Sequence, residues 1–144
     1  MERLICKSLL WAIGLNTDED YNKILDEMFL VNSNNSILLD LVWCSSDCGA
    51  TFSILQNFWE YECDCFSVET FGKCLLEDLK TIYFSNIFSI ENFANMCNSL
   101  WHHLPSELNT IEPFHTLSYA DDPLSWNDEE QTRKLYEELF EFYK

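Results

Sequence analysis

Phe66-Ser67-Val68-Glu69-Thr70-Phe71 returns twenty-two residues later as Phe88-Ser89-Ile90-Glu91-Asn92-Phe93, with four identities and one Val/Ile exchange. Each copy has the form of a helix start. The serine caps open backbone amides, the phenylalanine before it stands at N′, and the second phenylalanine lands at N4, the two positions that meet in a hydrophobic staple. Apolar stripes of helical period follow: Phe71, Leu75, Leu79, Ile82 and Tyr83 after the first copy, and Phe93, Ala94, Cys97, Leu100, Trp101 and Leu104 after the second. Helices joined by a short link pack antiparallel as a rule, so residues 67–104 read as a helical hairpin. Two copies are fewer than a stacked solenoid needs to bury a continuous core, and the repeat therefore speaks to fold rather than to function.

Working outward, Tyr21, Ile24, Leu25, Met28 and Phe29 form another stripe at i, i+3, i+4, i+7 and i+8. Thr17 is placed to cap this helix, and Asp18, Glu19 and Asp20 set negative charge on the positive end of its dipole. Glu2 to Ile13 reads as a helix stopped at Gly14. Ile37 to Trp43 is apolar except for Asp40, which suits a buried helix or a core strand; its helical neighbours favour helix. Phe52, Leu55, Phe58 and Trp59 suggest a further helix running towards Tyr61. Ser106 to Leu124, with Pro113 and Pro123, is polar and irregular and reads as a long surface loop. The last helix is expected from about Ser125, with Leu135, Tyr136, Leu139, Phe140 and Tyr143 inward. The whole predicts a mainly α fold: a single domain over residues 1–144, a bundle of about seven helices with antiparallel helical hairpins.

Charge is the next feature. No lysine or arginine lies between Lys23 and Lys73, nor between Lys80 and Arg133, although each gap holds eight carboxylates, and the chain carries −17 overall. A one-signed surface opposes its own compaction, which invites a reason beyond solubility: recognition of a basic partner. With 47% hydrophobic and 15% aromatic residues the chain is too apolar for a disordered acidic tail. Three glycines and three prolines argue against an all-β domain with many tight turns. The odd count of seven cysteines fits reduced thiols better than a disulfide framework. The apolar run Leu9 to Ile13 is too short for a signal-peptide core, and no stretch reaches the roughly 18 apolar residues of a membrane span. The expected location is cytoplasmic, with no membrane partner.

The residue types that carry chemistry do not assemble into a site. Cys44, Cys48, Cys63 and Cys65 are imaginable as a thiolate set, but their spacing departs from that of structural zinc sites, and His102, His103 and His115 complete no ligand pattern. There is no nucleophile elbow, glycine-rich phosphate loop or His-Glu-x-x-His. Asp121 to Glu130 has the acids of a calcium loop without its glycine. No enzyme activity, metal or cofactor is expected.

Two acidic and aromatic segments differ in kind from the rest. Tyr119 to Glu130 joins Tyr119 and Trp126 with five carboxylates, Asp121, Asp122, Asp128, Glu129 and Glu130, and no positive residue. It reads either as a solvated helix start whose acids favour the dipole, or as a docking surface in which aromatics supply contact area and acids steer a basic protein. Trp59 to Asp64 alternates aromatics with Glu60, Glu62 and Asp64, and reads either as a helix end with its aromatics in the core or as a second contact.

In size, charge and these acid-and-aromatic segments the chain resembles the immunity proteins of bacterial toxin–immunity systems, the kind paired with contact-dependent or polymorphic toxins. The resemblance is to a class that spans many unrelated folds. It implies tight binding of a cognate toxin domain, often a cationic nuclease, whose active or substrate-binding surface is blocked in the producing cell. Two alternatives stand beside it: a nucleic-acid mimic that inhibits a DNA-binding enzyme by presenting carboxylates at phosphate spacing, and a helical adaptor with an apolar groove whose binding tolerates salt. None of the three calls for direct nucleic-acid binding.

Overall fold

The second copy of the repeat folds as its spacing dictates. The Ser89 hydroxyl accepts the Asn92 N–H at 3.2 Å and opens helix α6 (Ile90–His103), in which Phe93, Ala94, Cys97 and Leu100 are buried. The first copy opens α5 (Val68–Ser85), with Phe71, Leu75 and Leu79 buried. The computed structural model describes residues 1–15, 18–62 and 66–143, with the side chain of Glu62 excepted. Thr17, expected to cap the second helix, lies outside the described residues, as do Cys63, Asp64 and Cys65.

Among the described residues the chain is mainly helical, without strands, and contains nine α-helices. Besides α5 and α6 these are α1 (Glu2–Ala12), α2 (Asp18–Val31), α3 (Ser36–Trp43), α4 (Cys48–Asn57), α7 (Ser106–Asn109), α8 (Thr116–Tyr119) and α9 (Glu129–Phe140). A π-helical turn, Phe58–Glu62, follows α4, and a 3-10 turn, Asp122–Trp126, precedes α9. The ambiguous run 37–43 is helix. Its start is fixed by Asn35, whose side-chain oxygen accepts the N–H groups of both Ile37 and Leu38, at 3.0 and 3.1 Å.

The chain divides into two compact units, Met1–Ser67 and Val68–Lys144. In the first, α1 packs on α2 and α4, and α3 packs on α2 and α4. Trp11 stacks on Tyr21 with ring centroids 5.4 Å apart, and Tyr21, Ile24 and Leu25 are buried, as the α2 stripe predicts. Gly14 ends α1 at φ +84°, a left-handed position that a Cβ would strain. The Glu2 carboxylate accepts the Ser67 backbone N–H at 3.0 Å, tying the first helix to the end of the unit.

In the second unit α5 packs chiefly on α9, and α6 on α8. Beside the link 86–89, Tyr83 meets Phe93 at 5.4 Å, and Phe93 meets Tyr136 edge-on at 5.1 Å. Gly72 of α5 lies under the ring of Tyr143, where an added Cβ would come within 2.6 Å of Cε2.

Two expectations need correction. Residues 106–124 are not a surface loop: they contribute α7, α8 and the fully buried Phe114, Leu117 and Ala120. These stand three apart, a spacing that keeps them on one side of a tightly wound segment. The Asn109 carbonyl accepts the Trp101 indole N–H at 2.7 Å, and the Ser118 carbonyl accepts the Asn98 amide at 3.4 Å, so α6 holds the segment by its backbone. The last helix begins at Glu129, not near Ser125, because Asp128 is its cap: the carboxylate accepts the Gln131 N–H at 3.1 Å. Its stripe is as expected for Tyr136, Leu139 and Phe140, which are buried, while Leu135 and Tyr143 are half-buried.

Candidate functional site

Burying Phe114, Leu117, Ala120 and Pro123 directs the residues between them outward. Tyr119 is half-buried, Asp122 is exposed, and Trp126 is 61% exposed. Asn127 at φ 62° turns the chain into α9, with its N–H donating to the Leu124 carbonyl at 3.2 Å and that of Asp128 to the Pro123 carbonyl at 2.9 Å.

The five carboxylates of this segment prove unequal. Asp128 is spent on the helix cap. Glu129 is bound to Arg133 through Nε at 2.8 Å and Nη2 at 2.7 Å. Arg133 in turn donates from Nη1 to the Tyr83 hydroxyl at 3.3 Å, so its charge is committed inside the unit. Asp121 turns one oxygen, Oδ1, into the protein, where it meets no hydrogen-bond donor. Burial pushes its carboxyl above the ordinary range, a backbone hydrogen bond opposes this, and the neighbouring Asp122 adds to the rise. Asp122, Glu129 and Glu130 are exposed to solvent, and of these Glu129 is paired with a cation. Asp128 and Glu129 thus serve the start of α9 and Asp121 is partly buried, which leaves Asp122 and Glu130, with Trp126, facing outward.

Tyr119 belongs to a groove of about 220 Å³, lined by Glu112, Pro113, Thr116 and Tyr119 on one side and by Leu135, Glu138, Leu139 and Phe142 on the other. Its floor is apolar and its acids are exposed. The Glu112 carboxylate is held in place, accepting the Thr116 hydroxyl at 2.5 Å and the Tyr119 hydroxyl at 3.3 Å. Such a groove suits a lysine or arginine side chain: the stem packs on Pro113, Leu135 and Phe142 while the charged head reaches carboxylates. The sequence did not single out Glu112, Glu138 or Phe142. Glu138 and Phe142 follow Glu112 by 26 and 30 residues, Glu112 stands in a segment read as loop, and only the folding of that segment brings the three together.

The other segment is less complete. Glu60 and Tyr61 of the π-helical turn are exposed, and Trp59 packs against Phe66 with centroids 5.0 Å apart. Asp64 and the side chain of Glu62 lie outside the described residues. Of the four cysteines considered as a thiolate set, Cys63 and Cys65 lie outside them too. The Cys44 thiol approaches the Asp40 carbonyl at 3.4 Å and the Thr51 hydroxyl at 3.7 Å. Among the described residues no helix is long and apolar enough to cross a membrane. The chain matches no protein-family model, and no curated protein or solved structure is similar to it at a significant level.

Proposed function

We propose that this chain is an immunity-type inhibitor that binds and neutralises a cognate cationic toxin domain through its acidic and aromatic surface. The observation that carries the reading is the groove of Tyr119 and the pre-positioned Glu112, flanked in sequence by the outward-facing Asp122, Trp126 and Glu130. Apolar floor and fixed carboxylate together suit a basic side chain of a protein. A nucleic-acid mimic needs carboxylates at phosphate spacing but neither the floor nor an exposed tryptophan. Asp122 and Glu130 supply the field that speeds encounter, and Tyr119 and Trp126 supply contacts that slow release. The bound toxin is held with a surface covered, and the producing cell is protected.

The test pairs capture with kinetics. Partners retained by the immobilised chain at low salt are eluted along a salt gradient, and the principal basic protein is expressed with and without the chain. Relief of growth arrest by wild type, with association slowed several-fold by Asp122→Lys with Glu130→Lys, is the expected result. Unchanged association and an unchanged salt dependence would show that this surface is not the one used. Competition with DNA for several unrelated DNA-binding proteins would replace the reading with mimicry.

A further inference from the structure

Helix α3 reads Ser36-Ile37-Leu38-Leu39-Asp40-Leu41-Val42-Trp43, apolar on almost every side. A helix of that kind belongs in a core. Here Leu38 and Leu41 are its buried residues, where it packs on α2 and α4. Leu39 and Trp43, at i and i+4, share another face and are 44% and 83% exposed, with the exposed Val42 at their flank. Across the turn 32–35, the last residues of α2 add Leu30 and Val31, 84% and 89% exposed. Five large apolar side chains are thus exposed on two consecutive packed helices, a concentration that suits an interaction surface.

We infer that this face of the first unit is a docking site for a basic amphipathic helix of a protein partner. Charge complementarity selects that occupant. Asp26 and Glu27 stand one turn before Leu30 and Val31 on the same helix, Asp40 stands one turn before Trp43, and all three are exposed. No lysine or arginine occurs between Lys23 and Lys73, so α3 and the last two turns of α2 carry carboxylates and no positive residue. A second copy of the chain would bring one molecule of charge −17 against another, and an anionic lipid surface would be repelled in the same way. A helix with leucine-like residues on one side and lysine or arginine at its edges satisfies both the apolar face and its acidic rim. The inference rests on the proposal that the partner is basic and adds an apolar anchor on a different compact unit from the Tyr119 groove.

Two designed peptides test it by fluorescence anisotropy. One places leucines on one face of a helix and lysines on the other; the second has the same composition with the leucines scattered round the helix. The patterned peptide is expected to bind wild type at least tenfold more tightly than the scattered one. Leu39→Ala with Trp43→Ala should remove that preference while lowering the thermal midpoint by only a few degrees, because Trp43 is mostly exposed and Leu39 nearly half so. Asp122→Lys with Glu130→Lys should leave it intact. Equal binding of the two peptides, or a preference that survives Leu39→Ala with Trp43→Ala, would overturn the inference and leave a charge-only reading of the basic partner standing. Failure of both peptides to bind at low salt would overturn the inference and count against a basic partner as well. Concentration-dependent self-association lost in the Leu39→Ala, Trp43→Ala variant would assign the face to a second copy instead.

Discussion

Replacing Gly72 by alanine sets two physical effects against each other. In an open helix the change is favourable by roughly 0.5–1 kcal/mol, because glycine loses the most backbone freedom on folding. At position 72 the new Cβ would stand 2.6 Å from Cε2 and 2.8 Å from Cζ of Tyr143. Carbon atoms rest at about 3.5–4.0 Å, so the ring must move by about 1 Å or leave its seat over α5. Overpacking of this kind costs about 1–3 kcal/mol. The clash offsets the propensity gain, and since the obstacle is the tip of a side chain, Gly72→Ala is expected to be neutral or to destabilise by up to roughly 2.5 kcal/mol. In a Tyr143→Ala background the obstacle is gone and the same change should stabilise by roughly 0.5–1 kcal/mol. The coupling between the two sites is therefore about 1–3 kcal/mol. Urea unfolding of the four proteins, followed by far-ultraviolet circular dichroism and tryptophan fluorescence, measures it. Equal destabilisation by Gly72→Ala in both backgrounds would refute the close approach of Tyr143 as the reason for glycine at this position.

Asp128→Ala removes the α9 cap and should cost about 1 kcal/mol, whereas Asp122→Ala, at an exposed acid, should stay within about 0.5 kcal/mol of wild type in the same assay. Asp121 predicts a pH dependence. Because burial raises its folded pKa above the unfolded one, its ionisation opposes folding: the penalty is absent below the ordinary carboxylate range and grows as pH rises through the raised value. Asp121→Asn should thus gain stability relative to wild type near about pH 7 and lose that gain near about pH 3. A urea-midpoint difference that does not change with pH would remove burial of this carboxyl as the cause.

Much of the helical layout was legible because it rests on local chemistry. The stripe of Tyr21, Ile24 and Leu25, the cap at Ser89 and the stop at Gly14 depend on residues within a turn or two of one another, and each is found where its spacing places it. The segment 106–124 was misread for the opposite reason. Its helices are only four residues long, and what holds it is burial of Phe114 and Leu117 with backbone acceptance of Trp101 and Asn98 from another helix. Isolated helices so short are not stable by propensity, and no local pattern reports them.

The acids show the same division. Their number and sign are properties of composition, and the sequence by itself determined a one-signed charge, a helical class and a pairing of carboxylates with Tyr119 and Trp126. Local contacts at the start of α9 take two of those carboxylates, and the tertiary structure decided the rest. Asp128 is consumed by a cap, Glu129 by Arg133 and one oxygen of Asp121 by burial, while Glu112 is brought beside Tyr119 and faces Leu135 and Phe142. The same holds for α3, whose apolar composition alone points to a core but whose Leu39 and Trp43 stay in solvent. Local spacing fixes a side chain's place on its own helix; only packing against other helices fixes whether that face meets protein or water.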